Sequence, residues 1–187
     1  MGDITYPRVD GVAFVHGAFQ RGDSLFLPRK GAKKILEYRG WRFRKIRFRK
    51  RRRADREALR AAFEQGVRAE YLMMLAQKRR TSLLAGGLSA TDIRQMEFGE
   101  VPPRYQVHHI LPIDDGGDNA FENLVLIRAS CEHSALTAYQ NAFARGMQEG
   151  EEKEVDYPVP AVEQDFAIYP PMGGLPVELK LWPRRKQ

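Results

Sequence analysis

The chain has 187 residues, 43% hydrophobic and 29% charged, which is ordinary globular usage with room for one domain or a domain and an appendage. Its single cysteine, Cys131, excludes an internal disulfide framework and a cysteine-cluster zinc site. The net charge of +7 hides an asymmetry: residues 1–80 carry 22 Lys+Arg against 8 Asp+Glu, and residues 81–187 carry 9 against 16, so the first half points to a polyanionic partner.

No charged segment followed by an apolar core opens the chain, so no conventional signal peptide is expected. No apolar run approaches the roughly 18–20 residues of a membrane helix, and a soluble protein is expected. Within residues 1–40, "GVAFVHGAF" and "SLFLPRK" predict one or two short strands with turns. "RGWRFRKIRFRKRRR" (39–53) interleaves ten Lys/Arg with Trp41, Phe43, Ile46 and Phe48, the alternation of an amphipathic strand. Its last arginines run into a helix predicted over 54–80, onto which Trp41 and Phe43 are expected to pack. Leu59, Phe63, Val67, Leu72 and Leu75 mark that helix's buried face, and Gly66 weakens it locally. Ser89 with Asp92 forms a capping box for a short helix closed by Gly99.

"YQVHHILPI" then reads as a strand, "DDGGDNAFEN" as a loop, "NLVLI" as a second strand and "CEHSALTAYQNAFARGM" as a helix. After Gly150 a proline-rich segment, acidic at its start, reads as an extended arm. The fold class is therefore α+β in three parts: a basic N-terminal segment (1–53), helical support with a core motif at 105–147 (54–147), and the C-terminal arm (148–187).

Three of the four histidines, His108, His109 and His133, fall within 26 residues. His16 stands apart in an apolar stretch and reads as structural, and Cys131 reads as a small core residue. Strand, loop, strand and helix, with "VHHILP" on the first strand, Gly116 and Gly117 in "DDGG", Asn123 in "ENLVLI" and His133 in "CEHSALT", resembles the HNH nuclease motif, whose fold is called ββα-metal. Phosphodiester hydrolysis needs a nucleophilic water, charge stabilisation at phosphorus and help for the leaving oxygen. Adjacent strand residues point to opposite faces, so His108 and His109 cannot both ligate one ion in simple geometry.

The resemblance implies His108 as metal ligand and His109 as general base, with His133 a second imidazole on the metal. It gives Asn123 either a place in the coordination shell or the task of tying the loop. Asp114 and Asp115, turn residues first, are candidates to orient an imidazole N–H. Colicin-type DNases of this family carry another metal histidine where this chain has Thr137. Thr137, Gln140 or Asn123 can complete the sphere with water, around one divalent ion: Mg, Mn, Zn or Ni. The basic run (Arg42, Arg44, Lys45, Arg47, Arg49, Lys50, Arg51, Arg52, Arg53) reads as backbone contacts to nucleic acid.

The wider string over residues 66–141, including "GLSATDIRQMEFGEVPPRYQVHHILP" and "HSALTAYQ", resembles the HNH toxin modules of bacterial polymorphic toxins and type VI secretion effectors. That likeness implies an antibacterial DNase with little sequence preference, made in a bacterial cytoplasm, exported by a delivery machinery and acting in a target cell's cytoplasm. It also implies a cognate immunity protein, which the basic half would favour as acidic. The alternatives are a sequence-specific restriction, homing or phage HNH nuclease, and a non-catalytic zinc-stabilised nucleic-acid-binding module.

Overall fold

A stretch such as Leu124-Val125-Leu126-Ile127, apolar at every position, makes a stable strand only when both of its faces are covered. A computed structural model describes residues 14–15, 18–21, 24–28, 34–160, 168–169 and 179–181. Its first elements are strands β1 (Phe14–Val15), β2 (Ala18–Arg21), β3 (Ser24–Pro28), β4 (Lys34–Arg39) and β5 (Trp41–Arg49). Helix α1 (Arg53–Ala62), a π-helical turn (Phe63–Val67), α2 (Arg68–Lys78), α3 (Arg80–Ala85) and α4 (Ala90–Glu97) follow. Then come β6 (Tyr105–His109), β7 (Leu124–Arg128), a second π-helical turn (Ala129–His133) and α5 (Ser134–Ala144), and finally β8 (Glu152–Pro160), β9 (Ile168–Tyr169) and β10 (Leu179–Leu181).

Strands β6, β7 and β9 form one sheet with β7 in the middle, antiparallel to β6 and parallel to β9. Val125 and Ile127 join a core with Leu136, Tyr139 and Phe143 of α5 and Leu25, Leu27 and Leu36 of the five-stranded sheet β1-β2-β3-β4-β10. Leu124 and Leu126 join a second core with Tyr71, Leu72 and Leu75 of α2 and Ile93 and Met96 of α4. Both faces of β7 are thus filled, which accounts for its unbroken apolar run and makes the fold α+β around a ββα unit.

This arrangement positions the histidines. Residues directly opposite in an antiparallel pair share a face. His108 pairs with Val125 and so belongs to the α5 face; His109 pairs with Leu124 and belongs to the face of α1 and α2.

The helix expected over 54–80 runs through α1, the π-helical turn and α2 on helical backbone dihedrals, with Gly66 inside the turn, and it ends where Arg79 leaves helical geometry before α3. Helix α4 begins with the expected capping box: Asp92 N–H donates to Ser89 Oγ (3.0 Å) while Ser89 N–H donates to Asp92 Oδ2 (2.8 Å).

Trp41 and Phe43 do not pack on the helix that follows them. Trp41 meets Tyr38 and Tyr169 at ring distances of 5.6 and 5.7 Å, and Phe43 meets Tyr139 of α5 at 6.2 Å. The reason is β8, which pairs with β5 along its whole length, from Trp41 opposite Pro160 to Arg49 opposite Glu152. That pairing turns the apolar side chains of β5 toward α5 and β9. The segment read as an extended arm supplies β8, β9 and β10, and buries Val155, Tyr157, Ile168 and Tyr169. His16 and the side chain of Cys131 lie outside the described residues. No helix among the described residues is long and apolar enough to cross a membrane.

Candidate active site

The loop between β6 and β7 is shaped by two glycines and an asparagine. Gly116 adopts φ +104°, a left-handed conformation that L side chains rarely take. A Cβ on Gly117 would come within 2.6 Å of the Leu111 carbonyl carbon and 2.9 Å of Asn123 Nδ2, so no side chain fits. Asn123 Oδ1 accepts from Leu111 N–H (2.8 Å), and its Nδ2 donates to the carbonyls of Leu111 (2.9 Å) and Asp118 (2.8 Å). The Asn123 carboxamide is therefore arranged as a tie across the loop.

On the α1 face, His109 lies against Phe63 with ring centroids 4.5 Å apart. Its Nε2 is 3.0 Å from Asn119 Oδ1, and Asn119 Nδ2 donates to the Leu59 carbonyl of α1 (2.9 Å). Burial lowers the His109 pKa below its ordinary 6.5, opposed by the Asn119 hydrogen bond and the Asp118 charge. That direction favours the neutral imidazole at pH 7.

The α5 face holds the other two imidazoles. His108 and His133 rings stand 4.8 Å apart and nearly perpendicular. His108 Nε2 is 3.0 Å from Gln140 Oε1, and Gln140 Nε2 donates to the Ile110 carbonyl (2.9 Å). His133, at the end of the second π-helical turn, is 3.4 Å from Thr137 Oγ1 one turn along. Burial first, then the neighbouring His133 and His109, lower the His108 pKa to about 3. Burial also lowers that of His133.

His108, His109, His133, Thr137 and Gln140 line a cleft of about 430 Å³ whose other wall includes Phe63 and Glu64 of the first π-helical turn. Such turns are uncommon and concentrate at functional sites, and here one flanks the cleft while the other carries His133.

Asp114 and Asp115 line the same cleft but their carboxylates are engaged by cations. Asp114 pairs with Arg60 (2.7 Å). Buried Asp115 pairs with Lys50 (3.3 Å), and burial raises its pKa against the pull of that lysine. The Nε2 atoms of His108 and His109 face carboxamide oxygens instead.

The basic run divides. Lys50 holds Asp115, while Arg51 donates to the carbonyls of Ile113 (2.8 Å) and Gly117 (2.6 Å), clasping the loop from below. Lys45 pairs with Glu154 (3.0 Å), and Arg47 and Arg49 with Glu152 (3.6 and 3.5 Å) across the ribbon. Arg53 pairs with Glu57 (2.6 Å). Arg42, Arg44 and Arg52 are exposed. A second cavity of about 360 Å³ is lined by Gly116 and by Arg47, Arg49, Lys50, Arg51 and Arg52 with Asp55 and Glu152.

Among the described residues no group of three or more His, Cys, Asp or Glu side chains comes together as a metal cage. The donors present are two perpendicular imidazoles beside the oxygens of Thr137 and Gln140. That neutral, open set fits a divalent ion that keeps water or phosphate oxygens as its remaining ligands.

Sequence reasoning did not find Asn119 or the role of Phe63. Asn119 reads as a turn residue two places after Gly117, and its partner carbonyl lies 60 residues upstream. Phe63 reads as one more apolar position of a helix.

This geometry meets an independent match: residues 96–137 fit the family model described as HNH endonuclease. That segment is similar to HNH endonuclease domains. The chain is also 39% identical over 146 residues to the uncharacterized protein YhhZ of Escherichia coli strain K12. That alignment spans 78% of this chain but 35% of YhhZ, so the chain corresponds to about a third of its relative. No solved structure matches the chain.

Proposed function

We propose that the chain is a metal-dependent endonuclease that hydrolyses DNA phosphodiester bonds with little sequence preference, with His109 as the general base. One observation carries the reading: the His109 imidazole, braced by Asn119 and Phe63, shares a cleft with His108 on the opposite face of the same strand and with His133 at the end of the second π-helical turn. In the reaction a water oxygen bonds to phosphorus and its proton passes to His109. The bond from phosphorus to O3′ breaks, and O3′ takes a proton from solvent. Held by His108 and His133, a divalent ion would supply positive charge beside the phosphate oxygens and the leaving O3′. Asn123 keeps the loop closed and so keeps His109 in register with that pair. The cavity lined by Arg47, Arg49 and Arg52 supports a path for the flanking DNA backbone across the loop.

The wider resemblance, together with the +14 balance of residues 1–80, supports a toxin role: a module exported from one bacterium into the cytoplasm of another, and restrained in the producer by an acidic immunity protein.

Supercoiled plasmid incubated with purified wild type and His109→Ala, across Mg, Mn, Ni and Zn with an EDTA control, tests the central reading. Metal-dependent nicking or smearing by the wild type alone is expected. Discrete bands would mean a sequence-specific nuclease. Retardation of the plasmid by both proteins, with no cleavage under any ion, would leave a nucleic-acid-binding module and end the catalytic reading.

A further inference from the structure

We infer that Asn119 is the positioning residue of the base, fixing His109 as the tautomer protonated on Nε2 and leaving Nδ1 as the ring's lone-pair nitrogen. This inference rests on the proposed role of His109 and adds a residue to it.

The argument begins at a backbone carbonyl. Leu59 O can only accept a hydrogen bond, so the Asn119 atom 2.9 Å from it must be the donating Nδ2. The carboxamide cannot be flipped without setting its oxygen against that carbonyl. Oδ1 is therefore the atom facing His109 Nε2 at 3.0 Å, and an oxygen without a hydrogen requires the ring nitrogen to donate. In a neutral imidazole one nitrogen donates and the other accepts. Nδ1 alone can then take a proton from water.

Phe63 packs on the ring with centroids 4.5 Å apart, so an aromatic contact and the Asn119 hydrogen bond together hold its orientation. An amide is also the fitting partner for this purpose. It selects the tautomer as a carboxylate would, but as a neutral group it leaves the imidazole uncharged and able to accept. The carboxylates around the cleft have partners of their own: Asp114 pairs with Arg60, Asp115 with Lys50 and Glu64 with Arg68, and Asp118 Oδ1 accepts from Ala120 N–H (3.1 Å). His108 is fixed by the same logic through a different residue, since Gln140 Nε2 donates to Ile110 O and presents Oε1 to His108 Nε2. The two clamps sit on opposite faces of β6 and share no residue, so one can be cut without touching the other.

Long-range ¹H–¹⁵N correlation spectra of the full chain labelled with [¹⁵N]histidine, without added metal, read the tautomer directly, with His109→Gln identifying the resonances. The wild type is expected to show His109 protonated on Nε2. Asn119→Ala is expected to lose that single pattern to exchange between tautomers. Asn119→Asp sets an oxygen against the Leu59 carbonyl and a charge beside the ring, so it too is expected to lose the neutral single-tautomer pattern, and Gln140→Ala is expected to disturb His108 alone. In plasmid cleavage Asn119→Ala should lower kcat by about 10–100-fold with KM little changed, the size of effect seen for residues that orient a catalytic imidazole.

A wild-type His109 protonated on Nδ1, or an Asn119→Ala spectrum unchanged from wild type, overturns the inference. Should Asn119→Ala not fold, the wild-type spectrum decides, because His109 protonated on Nδ1 there overturns it equally. If the wild type cuts no DNA while the tautomer depends on Asn119 as described, the clamp stands and the nuclease reading is what has failed.

Discussion

His108 and His109 are neighbours in sequence, yet the two faces of β6 give them different surroundings. The α5 face gathers two imidazoles, a hydroxyl and a carboxamide. The α1 face gives its one imidazole a phenyl ring and a carboxamide anchored to a helix carbonyl. A paired set of nitrogens with open positions suits ion binding. A single imidazole, kept dry on one side and fixed in tautomer, suits proton transfer. The two-residue period of a strand is what allows one dipeptide to supply both.

The largest expected effect separates the faces outright. His109→Ala should reduce kcat by about 10²–10⁴-fold, the usual contribution of a general base, while Mn²⁺ or Zn²⁺ binding measured by calorimetry stays within a few-fold of wild type. His133→Ala should do the reverse and weaken ion binding at least tenfold, taking activity down with it at limiting metal. If both variants lose ion binding alike, the two faces are not divided in the way their surroundings suggest.

Asn123→Ala should injure both faces together. It removes a donor and an acceptor that satisfy Leu111 N–H and the carbonyls of Leu111 and Asp118, at a cost of about 2–3 kcal/mol, because at least two backbone groups lose their partner. Thermal melting measures the loss. A stable Asn123→Ala protein that has lost only ion affinity would instead make Asn123 a ligand.

How much of this was legible in the sequence follows from the reach of each interaction. Strand, loop, strand and helix over 105–147 are local, and their apolar periods and the glycine pair can be read directly. So can the separation of His108 from His109, which needs only the strand period. What could not be read depends on distant parts of the chain. Asn119 acquires its meaning from Leu59, and β5 finds its partner in β8, with Lys45 and Glu154 109 residues apart. The same distance explains the basic run. As a string it is one block of cations, but folding sends Lys50 and Arg51 into the loop and sets Lys45, Arg47 and Arg49 against acidic residues of the ribbon. The π-helical turn between α1 and α2 is a smaller case: Gly66 signals local weakness without specifying such a turn.

Acid sharpens the comparison further. The unfolded chain protonates His108 near its ordinary 6.5, whereas the folded chain resists until about 3. Between those values the unfolded state binds the extra proton, so stability falls as pH drops and is indifferent to His108 above about 6.5. For this one group the slope approaches about 1.4 kcal/mol per pH unit. His109 and His133, also lowered by burial, add in the same direction. Melts in EDTA over about pH 4 to 8 should therefore steepen with acid, and His108→Gln should flatten them by its own share. A His108→Gln curve parallel to wild type would mean that His108 takes up its proton in the folded state.

The smallest effect belongs to the ribbon, and it tests whether the charged face differs in kind from the histidine site. Arg47 and Arg49 are largely exposed, with side chains 81% and 61% accessible, and each faces Glu152 at no closer than 3.5 Å. Exposed pairs of this geometry add little to stability. Arg47→Gln with Arg49→Gln should leave the melting temperature unchanged within error and leave kcat at saturating DNA intact. What should change is the dependence of DNA affinity on salt. Each phosphate that the protein ceases to neutralise reduces the slope of log K against log salt by about 0.9, so two fewer should flatten it by nearly 2. Titrations of catalytically inactive His109→Ala with and without the two substitutions measure that slope without cleavage. An unchanged slope would mean that Glu152 already satisfies both guanidinium groups, so that the DNA runs elsewhere and the +14 of the first half acts only as a distant field.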